Sequence, residues 1–173
     1  GRVDNIVMRF MDMLMAIPSM LLAICIVSAL GSGFINLLLA ISISLVPQFS
    51  RIVRSSVLTI KTSEFIEAAQ CGGTSTGRII LRHILPNALG PIIVQATLGT
   101  ATAILSIAGL SYLGLGIQPP TPEWGAILTS AKMYMRDAWH ISVIPGLGIM
   151  LTILALNLFG DGLRDALDPR MKV

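Results

Sequence analysis

The chain has 173 residues, of which 54% are hydrophobic and only 12% charged, with a formal net charge of +3. Soluble domains carry about 25% charged residues, so a water-soluble chain of this length could not hide so much apolar side chain, whereas a lipid-facing one need not. This excludes an ordinary soluble domain, and the uninterrupted apolar runs exclude a β-barrel, whose strands alternate over about ten residues; the fold class is all-α, polytopic and membrane-spanning.

Two long stretches contain no Asp, Glu, Lys or Arg: Met13 to Ser50 and His83 to Pro122. A charge at a bilayer centre costs about 2.5–3.5 kcal/mol on insertion scales, so both stretches read as spans. In chain order, the first predicted span runs from Met13 to Leu30, and Gly31-Ser32-Gly33 breaks it. The second runs from Phe34 to Phe49 and contains Pro47, which predicts a tilt, kink or partial unwinding near its end. A polar, net-basic segment from Arg51 to Asn87 follows. Within it, Ser63 is placed to cap a short helix carrying Glu64 and Glu67, with Phe65, Ile66, Ala68 and Ala69 as an apolar face and Gly72-Gly73 as its end. A second short helix is expected from Thr74 or Ser75 to Leu85, stopped by Pro86. Two short helices joined by Gly-Gly make a compact knob suited to a groove on another protein; the bland alternative is an amphipathic loop on the membrane surface.

The third span runs from Ala88 to Leu113. Its small residues, among them Gly90, Ala96, Gly99, Ala101, Ala103, Ser106, Ala108 and Gly109, allow close helix approach and place it among other helices. After it, Thr121 as N-cap, Pro122 in the first turn and Glu123 open a predicted helix reaching about Arg136, with Trp124, Tyr134 and Trp139 suited to an interfacial belt. The fourth span runs from Ile141 to Gly160. Of the twelve Lys and Arg residues, only Lys132 and Arg136 fall on one side of this four-span arrangement. The rest lie at the two ends and in the Arg51–Asn87 segment, which the positive-inside rule makes cytoplasmic, leaving Gly31–Gly33 and Gly116–His140 outside.

Other constellations carry no chemistry. Cys25 and Cys71 lack metal or redox spacing and are expected at different depths. Gly72-Gly73-Thr74-Ser75-Thr76-Gly77-Arg78-Ile79 imitates a phosphate loop, but Arg78 and Ile79 stand where Lys and a hydroxyl are required, and no strand precedes it. His83 and His140 are expected on opposite sides of the membrane, so they share no metal. Ser28, Ser42, Ser44 and Ser106 have no in-span base, which argues against an intramembrane enzyme. The spans hold no ionisable residue of the kind ion-coupled secondary transporters use; such a transporter is the alternative functional reading.

Glu67-Ala68-Ala69, then Gly73, then Ile84-Leu85-Pro86 resembles the EAA loop of bacterial ABC-importer permeases. The run through Arg82-His83-Ile84-Leu85-Pro86-Asn87 is similar to the dipeptide/oligopeptide/nickel branch. So are the segment from Leu113 to Gly125 and the segment from Asn157 to Arg170, the latter resembling the second of that branch's two permease subunits. His83 stands where an aliphatic residue is common in the general pattern, and Cys71-Gly72 replaces a more usual Ala/Arg-Leu type pair. The resemblance implies one type I permease domain over residues 1–173, shortened at its N-terminus by two of the family's six spans, with residues 51–87 as a cytoplasmic coupling loop. It also implies the ATPase-coupling residues Glu67, Ala68, Ala69, Gly73, Ile84, Leu85 and Pro86, Glu67 fixing the loop in an ATPase cleft and Gly73 bending it. The implied partners are two ATP-binding subunits, a second homologous permease subunit, an extracytoplasmic solute-binding protein and membrane lipid, with no nucleic acid. The implied site is the bacterial inner membrane, with both ends of the chain cytoplasmic. No catalytic residue, metal or cofactor is expected, and the cargo is a dipeptide, oligopeptide, glutathione-like peptide or nickel complex.

Overall fold

The computed structural model describes residues 1–167, and over that range the chain is built from helices. They are α1 (Arg2–Met15), α2 (Ser19–Leu30), α3 (Phe34–Lys61), α4 (Glu64–Cys71), α5 (Thr76–Ile79), α6 (Leu85–Tyr112), α7 (Trp124–Ala131) and α8 (His140–Leu167). A π turn, Ile80–Ile84, joins α5 to α6, and a 3₁₀ turn, Lys132–Tyr134, follows α7. The last three residues of the Asn157–Arg170 signature lie outside the described residues.

Among the described residues, three helices are long and apolar enough to cross a membrane: Phe34–Lys61, Thr76–Tyr112 and His140–Leu167. The first expected span, Met13–Leu30, is not one straight helix. Its first residues belong to α1, and α1 and α2 meet at 88°. The cause lies in Ile17-Pro18: proline has no N–H to donate, and the residue before it is pushed out of the helical region.

The second span departs from expectation in the other direction. The helix passes through Pro47 and ends only at Lys61, so Arg51–Lys61, expected as loop, is the C-terminal end of α3. At about 1.5 Å per residue, α3 exceeds the roughly 30 Å hydrocarbon core by more than 10 Å, which accommodates the Arg51 and Arg54 turns beyond lipid. α1 braces them. Arg54 donates from Nε and Nη2 to the two Asp4 carboxylate oxygens at 2.8 and 2.9 Å, and Arg51 donates to Asp12 at 2.6 Å.

The main core joins α2, α3 and α6 through buried Ala23, Val27, Leu37, Ala40, Ile41 and Leu110. α6 packs on α3, α7 and α8, as its small residues require. A side chain at Gly99 would meet the Phe49 ring, and one at Gly160 of α8 would meet Leu98. α6 ends in a Schellman motif: Leu115 N–H reaches Leu110 C=O (2.9 Å) and Gly114 N–H reaches Ser111 C=O (2.9 Å). Leu115 then packs back on the Leu110 core.

α7 starts later than the sequence suggests. Thr121 is not its cap. Glu123 is, its carboxylate accepting from Gly125 N–H at 2.9 Å and Ala126 N–H at 2.8 Å. Its longer side chain reaches the same orphan amides that a threonine would serve from the N-cap position. The helix stops at Ala131 rather than Arg136. There Lys132 turns back, placing Nζ 3.6 Å from the Tyr112 ring centre and 3.0 Å from the Tyr112 carbonyl at the end of α6.

Candidate functional site

The knob between α3 and α6 is assembled from local rules. Ser63 occupies the N-cap position of α4, but its hydroxyl turns back to the Ile60 carbonyl at 2.5 Å and does not cap α4. The Ser63 carbonyl instead accepts from Ile66 and Glu67 N–H. α4 closes in a second Schellman motif, with Thr74 N–H to Ala69 C=O (3.1 Å) and Gly73 N–H to Gln70 C=O (3.0 Å). That closure puts Gly73 at φ +74°. Nothing crowds the position where a Cβ would sit, so glycine is required there for its backbone angle, not for space.

α5 then begins behind Ser75. Pro86, expected to stop this second short helix, does not: the helical path runs unbroken from Thr76 to Tyr112. Within the π turn, Leu85 N–H reaches back five residues to Ile80 C=O. The wider turn spreads the carbonyls ahead of Pro86, where a regular helix would press one into the proline ring. Asn87 adds a side-chain donor to His83 C=O at 2.6 Å.

The knob has its own small core. Ile66, Ile79 and Ile84 are buried together, with Val57, Ile60 and Ala69 packed against them. The seven residues singled out from sequence therefore divide. Ala69 and Ile84 face this core, whereas Glu67, Ala68, Gly73, Leu85 and Pro86 are exposed. The apolar face of α4 divides too: Ile66 is fully buried while Phe65 stays outside, its ring 6.5 Å from that of His83. The exposed surface thus carries Glu64, Phe65, Glu67, Ala68, Arg78 and Leu81, a mixture of acidic, apolar and basic side chains.

The profile described as "Binding-protein-dependent transport system inner membrane component" matches residues 1–173. The chain belongs to that family. As a member of this inner membrane component family it is a multi-pass membrane protein, in keeping with its long apolar helices. It is similar to a di/tripeptide transport system permease protein, DppC, of Pseudomonas aeruginosa, with 48% identity over 172 residues covering 99% of this chain and 57% of that protein. A dipeptide transport system permease protein, DppC, of Alkalihalophilus pseudofirmus is 52% identical over 170 residues, covering 98% and 56%. A glutathione transport system permease protein, GsiD, of Shigella flexneri is 52% identical over 169 residues, again covering 98% and 56%. The chain spans somewhat more than half the length of these curated relatives.

A concavity lies at the other end of α6. Its volume is about 340 Å³, lined by Ile104, Ile107, Ala108, Trp124, Ile127 and Ile149, with Pro122 and Glu123 at its edge. Glu123 is its only charged lining residue, and both carboxylate oxygens already hold α7 amides. Among the described residues, no three His, Cys, Asp or Glu side chains gather as a metal would need.

The sequence alone does not single out the packing of Val57, Ile60, Ile66 and Ile79 with Ile84, or the clasp of Asp4 and Asp12 on Arg54 and Arg51. The sequence does not announce the first: Ile80 and Leu81 stand four and three residues before Ile84 and keep ordinary helical spacing with it, so the inward role of Ile79 shows only in the structure.

Proposed function

We propose that the chain is the membrane-spanning permease subunit of an ATP-driven importer of small peptides. Family membership and relatives named as dipeptide, di/tripeptide and glutathione permeases support the transport role. The observation that carries the coupling role is the knob: an exposed Glu67 on a helix closed by Gly73, seated on α3 and continuous with α6.

In this reading the knob faces the cytosol and enters a cleft of an ATP-binding subunit. Glu67 supplies a carboxylate for a cationic or N–H partner there, and Phe65 and Ala68 supply apolar contact. Gly73, Ile84, Leu85 and Pro86 set the angle at which α4 is presented. Two ATP-binding subunits, a second homologous permease and an external solute-binding protein complete the importer. ATP-driven closure moves the knobs, and the bundles rock between inward- and outward-facing states. Hydrolysis belongs to the ATP-binding subunits; this chain supplies the path and the lever.

The test is reconstitution of the whole transporter in liposomes. Glu67→Ala and Gly73→Pro are expected to lower ATP-driven peptide uptake and weaken ATPase co-purification. Undiminished uptake and binding in both variants would remove the knob from the mechanism. A thiol introduced at Thr76→Cys should react only from the cytosolic side, and labelling from outside would reverse the topology.

A further inference from the structure

The knob is joined to α6 covalently, but its apolar contacts run to α3. Ile66, Ile79 and Ile84 are 0%, 5% and 8% exposed, and the residues packed on them include Val57 and Ile60 from the C-terminal end of α3. The π turn makes this seat possible. Residues five apart on a regular α-helix point about 140° apart, so Ile79 and Ile84 could not both face α3. With bonds reaching back five residues, one turn spans that separation and stacks the two side chains. The extra residue is accommodated on the outer side, where Ile80 and Leu81 are 48% and 70% exposed.

We propose that this seat makes the knob and the C-terminal turns of α3 one rigid body, so that a push on the knob is delivered to α3 as directly as to α6. Ile66, Ile79 and Ile84 are then positioning residues for transport: they touch neither nucleotide nor cargo, and they determine which helix the push reaches. α1 extends the same body, because Arg51 and Arg54 clasp it one to two turns above Val57. This inference rests on the coupling role proposed above, which supplies the push.

The test uses the complete transporter with Cys25→Ser and Cys71→Ser, carrying Val57→Cys with Ile84→Cys. Oxidation, or a short bis-methanethiosulfonate reagent where the two thiols stand too far apart for a direct bond, should bridge the pair in high yield, in the resting state and during turnover, and the bridged transporter should keep uptake within about twofold of its reduced form. A bridge that does not form would overturn the seat itself. A bridge that forms, abolishes uptake and releases it again on reduction would show that the knob must pivot against α3, and would overturn the rigid-body claim. A second readout is peptide taken up per ATP hydrolysed by assembled complexes. Ile66→Ala should lower that ratio at least fivefold with ATPase co-purification retained, and Ile66→Val should restore it to within twofold. An unchanged ratio for Ile66→Ala would overturn a positioning role. Failure of ATP-binding subunits to co-purify with the unmutated chain would refute the coupling role instead, and the bridging yield would still report on the seat.

Discussion

Replacing Gly125 with alanine is expected to lift α7 off α6. The added Cβ would stand 2.7 Å from the Ala108 carbonyl oxygen, 2.9 Å from Ala108 Cα and 2.8 Å from Ser111 Cβ. The two closest Ala108 atoms are backbone, so no side chain can swing aside and the helices must part. Overpacking of this kind costs about 1–3 kcal/mol. Separation also threatens the Thr129 hydroxyl bond to the Ser111 carbonyl, 2.9 Å long, worth about another 1 kcal/mol. For a chain of this size each kcal/mol moves the midpoint by about 2–4 °C, so the loss should be about 4–16 °C. The assay is the temperature at which the fluorescently tagged transporter leaves its monodisperse peak in size-exclusion chromatography. Gly146→Ala is the matched control: nothing lies within 4 Å of its added Cβ, and alanine is the better helix former, so no loss is expected. If Gly125→Ala melts with the parent, the close α6–α7 approach is refuted.

Four further outcomes follow from the same geometry. Gly73→Ala should destabilise the knob by about 1–2 kcal/mol because its φ of +74° is left-handed, with Gly73→Asn milder, read as faster proteolysis near Thr74. Glu123→Ala should cost about 1 kcal/mol by removing the α7 cap, with Glu123→Gln losing less, both read in the same melting assay. Lys132→Met should lower the midpoint by removing the contact with the Tyr112 ring and carbonyl, worth about 1 kcal/mol. Asp4→Arg and Arg54→Asp should each impair assembly, and the double exchange should restore it, with the rescue fading at high salt because the pair is partly solvated.

The long apolar helices were legible because charge is costly in lipid, and this also located the second, third and fourth spans. Their ends were not. Arg51, Arg54 and Lys61 read as loop because they are charged, yet a helix continues into water when its partners there match, and Asp4 and Asp12 on α1 supply that match. The pairing joins residues far apart in sequence, so no local pattern announces it. Prolines misled in both directions. Pro18, passed over within an apolar run, ends α1; Pro86, read as a stop, is carried within a continuous helix by the π turn before it. In the candidate site the Gly72-Gly73 ending was visible from composition. The division of α4 into an inward Ile66 and an outward Glu67 needed the position of α3, which sequence spacing does not contain.

The right-angle joint at Pro18 has a mechanical meaning. α1 packs on the C-terminal end of α3, while α2 turns away to pair with the N-terminal half of that same helix. One crooked arm therefore holds α3 at both extremities. If α3 tilts as one piece, both attachments travel with it, and the elbow of Ala16, Ile17 and Pro18 keeps its angle while α1, α2 and α3 turn together. The elbow would act as a bracket, and its stiffness would set how closely α1 and α2 follow the long helix.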